Sequence, residues 1–151
     1  MQDEYVNIFY ELVKEAIKSS GCELPYEVEA YIAILLGTHL AKPSFLPQTS
    51  FAETYLELQK RNFRSAKELA DTCLFVTGVF PNFGSNKGLD IEYYSSIGKS
   101  SYISASNGLN KDLFSIISAR FDFLREIIEI TTTPSPLTIK IIEPNKRETN
   151  E

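Results

Sequence analysis

The chain has 151 residues, and its hydrophobic fraction of 43% and charged fraction of 23% fit one globular domain with a hydrophobic core. Its net charge of −5 argues against binding to a nucleic-acid backbone, because such binding needs clustered positive charge. No apolar run reaches the roughly 18 residues of a membrane helix, and the acidic N-terminal stretch lacks the basic region of a signal peptide. The default prediction is therefore a soluble cytoplasmic protein without a membrane span.

Three helices are predicted in the first part of the chain. Apolar residues recur at helical spacing through the first 16 residues, and this helix ends at Gly21. Pro25 opens a second helix, which is apolar nearly all round and is therefore predicted to be the central helix of a bundle. After a proline-interrupted connection, the capping box of Ser50 and Glu53 predicts a third helix that ends near Asn62.

The segment FVTGVF, residues 75–80, is ambiguous between helix and strand. A second capping box, Ser65 with Glu68, predicts a fourth helix, and its 3.6-residue period continues into this segment without a turn signal. Valine and threonine favour a strand, but no second strand is available to pair with it. We therefore predict a helix that becomes buried on all sides and ends before Pro81, with Gly78 as a close-packing or end-of-helix glycine.

Two more helices are predicted in the second half, each with a capping side chain. Asp90 caps the fifth helix, in which Gly98 lies one turn from Tyr94 and one turn from Tyr102. A glycine inside a helix costs roughly 1 kcal/mol relative to alanine, so we expect another helix to cross closely over it in compensation. Asn110 caps the sixth helix, KDLFSIISARFDFLREIIEIT.

These elements predict an all-α fold, a single helical bundle of about six helices over residues 1–133. Residues 134–151 are expected to form an extended or partly disordered tail. Cys22 and Cys73 are far apart and are interpreted as reduced thiols, with Cys73 in the core. The chain has one histidine and no Cys/His cluster, so neither a metal site nor another cofactor is predicted.

Two short motifs are assigned ordinary structural roles. Gly-Lys-Ser-Ser at residues 98–101 resembles the end of a phosphate-binding loop, but Tyr93 stands where that loop needs a glycine, and no strand precedes it. The basic stretch KRNFRSAK, residues 60–67, is interpreted as the exposed end of one helix and the start of the next.

Arg120 is the candidate with the most unusual position, because it falls within the apolar face of the last predicted helix. A guanidinium there must be paired or must reach water. It either pairs with Asp71, Asp90 or a glutamate, or donates hydrogen bonds to carbonyls at a helix end, or it contacts an anion at the floor of a pocket. The lone histidine is either a satisfied core residue or a general base or ligand contact. The residues that would line such a ligand pocket are Arg120, His39, Tyr94 and Tyr102.

The segments LFVTGVFP, DIEYYSSIGKSSY and LFSIISARF together resemble an uncharacterised family of small all-α bacterial proteins. In that family a helix that bears phenylalanine and glycine and ends in Phe-Pro is followed by Asp-Tyr-Tyr, then Gly, then Ala-Tyr. The resemblance covers roughly residues 28–130. Here Ile-Glu separates Asp90 from Tyr93, and Ser101 stands where alanine is expected. The resemblance implies an all-α fold and a helical FVTGVF, and it implies no known activity.

Three classes of function are considered. A non-enzymatic interaction or regulatory protein, with a protein partner or a second copy of itself, ranks first because the sequence combines a well-formed core with no catalytic constellation. A helical bundle that binds a small anionic or amphipathic ligand ranks second. An enzyme ranks last, because catalysis usually needs a nucleophile or an acid–base pair that a third group orients.

Overall fold

In the computed structural model, which describes residues 2–41, 63–82, 88 and 90–132, six helices are present and these ranges contain no strand. The helices are α1 (Gln2–Ser19), α2 (Tyr26–Ala41), α3 (Phe63–Val79), α4 (Ile91–Ser106), α5 (Lys111–Ala119) and α6 (Phe121–Thr132). The all-α prediction is therefore confirmed. The predicted helix over residues 50–62 and the predicted tail over residues 134–151 lie outside the described residues.

Three of the sequence signals for helix ends are found in place, whereas Ser65, predicted to open the fourth helix, lies inside α3, which begins at Phe63. Gly21 has a positive φ of 80°, a conformation that glycine adopts without strain, and it follows the last turn of α1. The Asp90 side chain accepts a hydrogen bond from the Tyr93 backbone N–H at 3.1 Å and caps α4. The Asn110 side chain accepts one from the Leu113 N–H at 3.2 Å and caps α5. All three predicted ends are confirmed.

The central helix is α3, which packs against α2, α4 and α6. Every residue from Leu69 to Gly78 is buried, so the predicted helix across FVTGVF is confirmed as far as Val79, where α3 ends. The prediction that the second helix is the central one is wrong. Among the described helices α2 packs mainly against α1, and its Ile34 side chain is 54% exposed.

Two glycines allow helices to pack closely. A Cβ atom at Gly98 would lie 2.5 Å from the Phe121 ring, closer than such atoms can approach, and 3.0 Å from Cβ of Cys73, which is a tight contact. This confirms the predicted close crossing over Gly98. A Cβ atom at Gly78 would lie 2.5 Å from Cγ2 of Ile128, so Gly78 is a close-packing glycine between α3 and α6.

The last predicted helix is divided into α5 and α6 at Arg120. This residue has φ −103° and ψ 16°, outside the helical region, while its N–H still donates to the Ile116 carbonyl at 2.9 Å. The buried stripe passes through Phe121, which is 0% exposed, and Arg120 is exposed. Placing Arg120 within the apolar face is therefore wrong: the Phe121 ring fills the space over Gly98, and the neighbouring arginine points to solvent.

Neither cysteine forms a disulfide, and Cys73 is fully buried in the core, as predicted. None of the described helices combines the length and the apolar character that crossing a lipid bilayer requires.

Candidate functional site

Asp71 on α3 is a buried carboxylate that receives hydrogen bonds from three side chains. It is 4% exposed. The Tyr31 hydroxyl of α2 donates to Oδ1 at 2.5 Å, and the Tyr102 hydroxyl of α4 donates to the same oxygen at 2.6 Å. Lys67, one turn earlier on α3, donates to Oδ2 at 2.9 Å. These four residues, the Asp71 cluster, join α2, α3 and α4 through charge-assisted hydrogen bonds.

Burial determines the protonation of the two tyrosines in the Asp71 cluster. Burial, and after it the nearby Asp71 charge, raises the pKa of Tyr31 and of Tyr102 above the ordinary value. Both phenols therefore keep their protons near neutral pH and act as fixed donors rather than as proton-transfer groups. The Lys67 ammonium also lies 5.5 Å from the centre of the Tyr31 ring, a favourable cation–π distance.

An aromatic layer connects the Asp71 cluster to α5. The Phe114 ring, 4% exposed, lies 5.6 Å from the Tyr31 ring in an edge-on arrangement. It lies 5.9 Å from the Tyr102 ring with an interplanar angle of 16°, which is a stacked arrangement. Such pairs contribute about 0.5–1.5 kcal/mol each beyond their buried area. Phe114 thus fixes the position of α5 relative to α2.

An open groove lies between the N-terminal ends of α2 and α5, and we term it the α2–α5 groove. Its volume is about 310 Å³. The described residues that line it are Pro25, Glu27, Val28, Asn110, Asp112, Leu113 and Ile116. Val28 is fully buried and Leu113 and Ile116 are half-buried, so the floor is apolar, whereas Glu27 and Asp112 are exposed at the rim.

The groove is built on two helix starts whose backbones are fixed. The Pro25 carbonyl accepts the Val28 N–H at 3.0 Å, which closes the first turn of α2. The Asn110 cap holds the first turn of α5 through the Leu113 N–H. Phe114 directly follows Leu113 in the chain and contacts Tyr31, so the groove lies beside the aromatic layer.

A second groove, between the end of α1 and the start of α2, is larger but differs in chemistry. Its volume is about 540 Å³. The described residues that line it are Lys14, Ile17, Lys18, Gly21, Cys22, Glu23, Leu24 and Glu29. Four of these eight residues are charged, with both signs present, which is typical of a solvated face. The α2–α5 groove, with an apolar floor and few polar groups, has the composition of a binding site.

The two tyrosines predicted to line a pocket are both in the core. Tyr102 is 0% exposed and belongs to the Asp71 cluster. Tyr94 is 4% exposed, and its ring lies 4.9 Å from the Tyr93 ring. The structure thus gives Tyr102 a hydrogen-bonding role inside the fold.

His39 and Arg120 lie elsewhere in the fold. Nδ1 of His39 is 2.8 Å from the Leu35 carbonyl of its own helix, and its ring lies 5.5 Å from the Phe75 ring. The Arg120 guanidinium reaches solvent and lies 5.8 Å from the centre of the Phe123 ring. These contacts place the four predicted residues in four different surroundings, and a shared ligand site for them stays a prediction.

The sequence indicates Asp71 only as a possible partner for Arg120 and does not reveal the Asp71 cluster. The signal was present, because Asp71 is the one charged residue in the run Leu69–Gly78, every residue of which is buried, and a buried carboxylate must be hydrogen-bonded. Lys67, four residues earlier, was a visible partner. Tyr31 and Tyr102 could not be assigned as donors, because their hydroxyls meet Asp71 only in the folded chain.

The described part of the chain contains no group of three or more His, Cys, Asp or Glu side chains that could hold a metal ion. In the Asp71 cluster both carboxylate oxygens already accept hydrogen bonds. The cluster therefore positions helices, and the α2–α5 groove is the candidate functional site.

Comparisons with protein-family models, with curated proteins and with solved structures find no match to this chain. The resemblance to a family of small bacterial proteins therefore rests on the quoted motifs alone, and function has to be argued from the groove and the residues that support it.

Proposed function

We propose that this chain is a non-enzymatic cytoplasmic protein that binds an apolar side chain of a partner protein in the α2–α5 groove. The observation that carries the proposal is the apolar floor of this groove, formed by Val28, Leu113 and Ile116 beside polar rim residues. An apolar centre with a polar rim is the usual anatomy of a protein interface. Pockets of this kind take the anchor side chains that dominate binding energy.

The size of the groove favours a side chain over a larger ligand. A volume of about 310 Å³ is at the lower limit of the roughly 300–1,000 Å³ typical of small-molecule pockets. Tyr26 and Leu109 directly adjoin lining residues in the chain and are 68% and 39% exposed, so this end of the molecule offers further apolar surface. Exposed apolar surface of this kind is typical of interaction sites.

The rigidity of the groove also supports binding. Phe114 packs against the rings of Tyr31 and Tyr102, whose hydroxyls are both fixed on Asp71. The two helix starts that form the groove are therefore ordered before any partner arrives. A preformed site loses less conformational entropy on binding, which raises affinity for a given contact area.

Photo-crosslinking in host cells tests the proposal. A benzoylphenylalanine replaces Leu109 beside the groove in the full chain, and in a control chain it replaces Ile34, which is 54% exposed and does not line the groove. We expect a defined protein adduct from position 109 and not from position 34. The adduct should be lost when Leu113→Ser or Ile116→Ser removes apolar floor.

The two floor variants are made separately, and each is checked for helix content. If one of them fails to fold, the other still tests whether the adduct depends on the apolar floor. If position 109 gives no protein adduct, or an adduct that both floor variants leave unchanged, the groove is not the interaction site. An adduct between two copies of this chain would keep the groove as an interface and identify the partner as a second copy.

A further inference from the structure

Both charged side chains that line the α2–α5 groove are carboxylates. Glu27 is in the first turn of α2 and Asp112 is in the first turn of α5, and both are exposed. The described lining residues include no lysine or arginine. Lys111 directly precedes Asp112 in the chain, but it does not line the groove.

The two helix N-termini reduce this negative charge without cancelling it. Each N-terminus carries the equivalent of roughly half a positive charge, so the two together offset about one of the two carboxylate charges. One N–H at each start is already bonded, since Val28 donates to the Pro25 carbonyl and Leu113 donates to Asn110. The groove entrance therefore stays negative, on a chain whose net charge is −5.

We propose that the occupant of the groove is a partner segment in which a large apolar side chain is flanked by lysine or arginine. This inference rests on the proposed function and adds the chemistry of the partner. The apolar side chain contacts Val28, Leu113 and Ile116, and the flanking cations meet Glu27 and Asp112. Charge complementarity of this kind raises association rates and excludes wrong partners. A second copy of this acidic chain is disfavoured, because its net charge has the same sign.

Three synthetic peptides test the charge requirement. They share one leucine anchor and differ only in flanking residues, which are lysine, glutamine or glutamate. Binding to the full-length protein is measured by NMR titration at low salt. We expect the lysine peptide to bind about two- to thirtyfold more tightly than the glutamine peptide, given the modest strength of two exposed charge pairs. The glutamate peptide should bind most weakly.

A matched pair of double variants separates local from general attraction. Glu27→Gln with Asp112→Asn should remove the preference for lysine, so that the lysine and glutamine peptides bind the variant with similar affinity. Glu15→Gln with Glu126→Gln makes the same change in net charge at exposed positions that do not line the groove, and it should keep the preference. Equal loss in both variants would mean attraction by net charge alone and would overturn the inference.

The peptides also distinguish failure of the inference from failure of the proposed function. If all three bind equally and Leu113→Ser abolishes binding, the apolar groove stands and the charge requirement is wrong. If none binds, or if Leu113→Ser and Ile116→Ser leave binding unchanged, the groove does not accept apolar side chains of partners, and both proposals fail.

Discussion

A carboxylate among apolar residues is stable only when donors surround it, and Asp71 obtains its donors from α2, α3 and α4. Tyr102 is the most demanding partner, because its hydroxyl is fully buried and has to find an acceptor inside the fold. The hydrogen bonds of the cluster are therefore expected to stabilise the fold cooperatively. Loss of the Asp71 carboxylate would leave Tyr31, Lys67 and Tyr102 without their shared acceptor.

Replacing Asp71 with alanine should reduce the free energy of unfolding by about 3–5 kcal/mol, because the buried Tyr102 hydroxyl and the partly buried Tyr31 hydroxyl each lose a bond to a charged group. Asp71→Asn should cost less, since it keeps an oxygen acceptor. Asp122→Ala is the control: Asp122 is 46% exposed and pairs with Lys99 at 2.7 Å, so its loss should cost at most about 1 kcal/mol. Urea denaturation measures all three. A cost for Asp71→Ala no larger than that for Asp122→Ala would contradict the structural role.

Replacing Ser101 is expected to increase stability, whereas replacing Asp71 is expected to reduce it. It is 1% exposed, and its Oγ has no hydrogen-bond partner within the part of the chain that the structure describes. Ser101→Ala should therefore stabilise the fold by about 1 kcal/mol, because it removes an unsatisfied hydroxyl and improves helix propensity. Ser106→Ala on the same helix is the control, since the Ser106 hydroxyl donates to the Ile103 carbonyl at 2.6 Å. Thermal melts measure both, and a lower melting temperature for Ser101→Ala would show that its hydroxyl is satisfied.

Asp71 and Arg120 show how far the role of a residue can be predicted from sequence. Each is a charged residue within an apolar pattern, and the pattern alone treats them alike. The fold surrounds Asp71 with donors that are 40 and 31 positions away, whereas a break between α5 and α6 turns Arg120 to solvent. Neither outcome is encoded locally, because both depend on which helices become neighbours.

Among the elements, the crossing at Gly98 could be predicted and the break at Arg120 could not. A glycine inside a helix is unfavourable unless another element packs into the space that it leaves. The glycine between two tyrosines is visible in the local sequence, and the crossing could therefore be predicted from it. The sequence around the break contains no glycine or proline that would predict the end of a helix. It accompanies the placement of Phe121 over Gly98, which is a tertiary contact.

Gly98→Ala should destabilise the protein by about 1–2 kcal/mol, because its Cβ would lie 2.5 Å from the Phe121 ring. Overpacking costs about 1–3 kcal/mol, which outweighs a gain in helix propensity of about 1 kcal/mol. Ser100→Ala, exposed on the same helix, should be neutral or slightly stabilising. A double-mutant cycle with Phe121→Leu measures the coupling. If Phe121→Leu does not relieve the cost at position 98, the ring is not the cause.

For the whole molecule, the all-α class follows from periodicity and caps, but the α2–α5 groove does not. Pro25 and Asn110 are each a sequence signal for a helix start, so both starts can be predicted. That the two starts face one another across a groove depends on Phe114 packing against two tyrosines from other helices. The sequence pattern does not show how close the starts of α2 and α5 lie in the folded chain.

Stability should fall as the pH rises above about 9. Burial raises the pKa of Cys73, and burial together with Asp71 raises the pKa of Tyr31 and Tyr102. The unfolded chain loses these protons near pH 8.5 for cysteine and 10 for tyrosine, about their ordinary values, while the folded chain keeps them. Unfolding is then favoured by about 1.4 kcal/mol per pH unit for each group.

Urea denaturation between pH 7 and pH 11 checks the alkaline loss of stability. Tyr31→Phe removes one titrating group and should give a shallower loss above pH 10 than the parent, whatever its stability at neutral pH. Stability that stays constant up to pH 11 would contradict the raised pKa values of the buried groups.

The hydrogen bonds to Asp71 also have a consequence for folding kinetics. They join residues 40 and 31 positions apart and need the docked positions of α2, α3 and α4, whereas each helix can form from local contacts. Interactions that need several docked elements are expected to form after the transition state, and their loss then acts mainly on the unfolding rate. In stopped-flow experiments, Asp71→Asn should accelerate unfolding and leave the refolding rate close to that of the parent. The buried carboxylate would then determine how long the folded state lasts, and the helices how fast it forms.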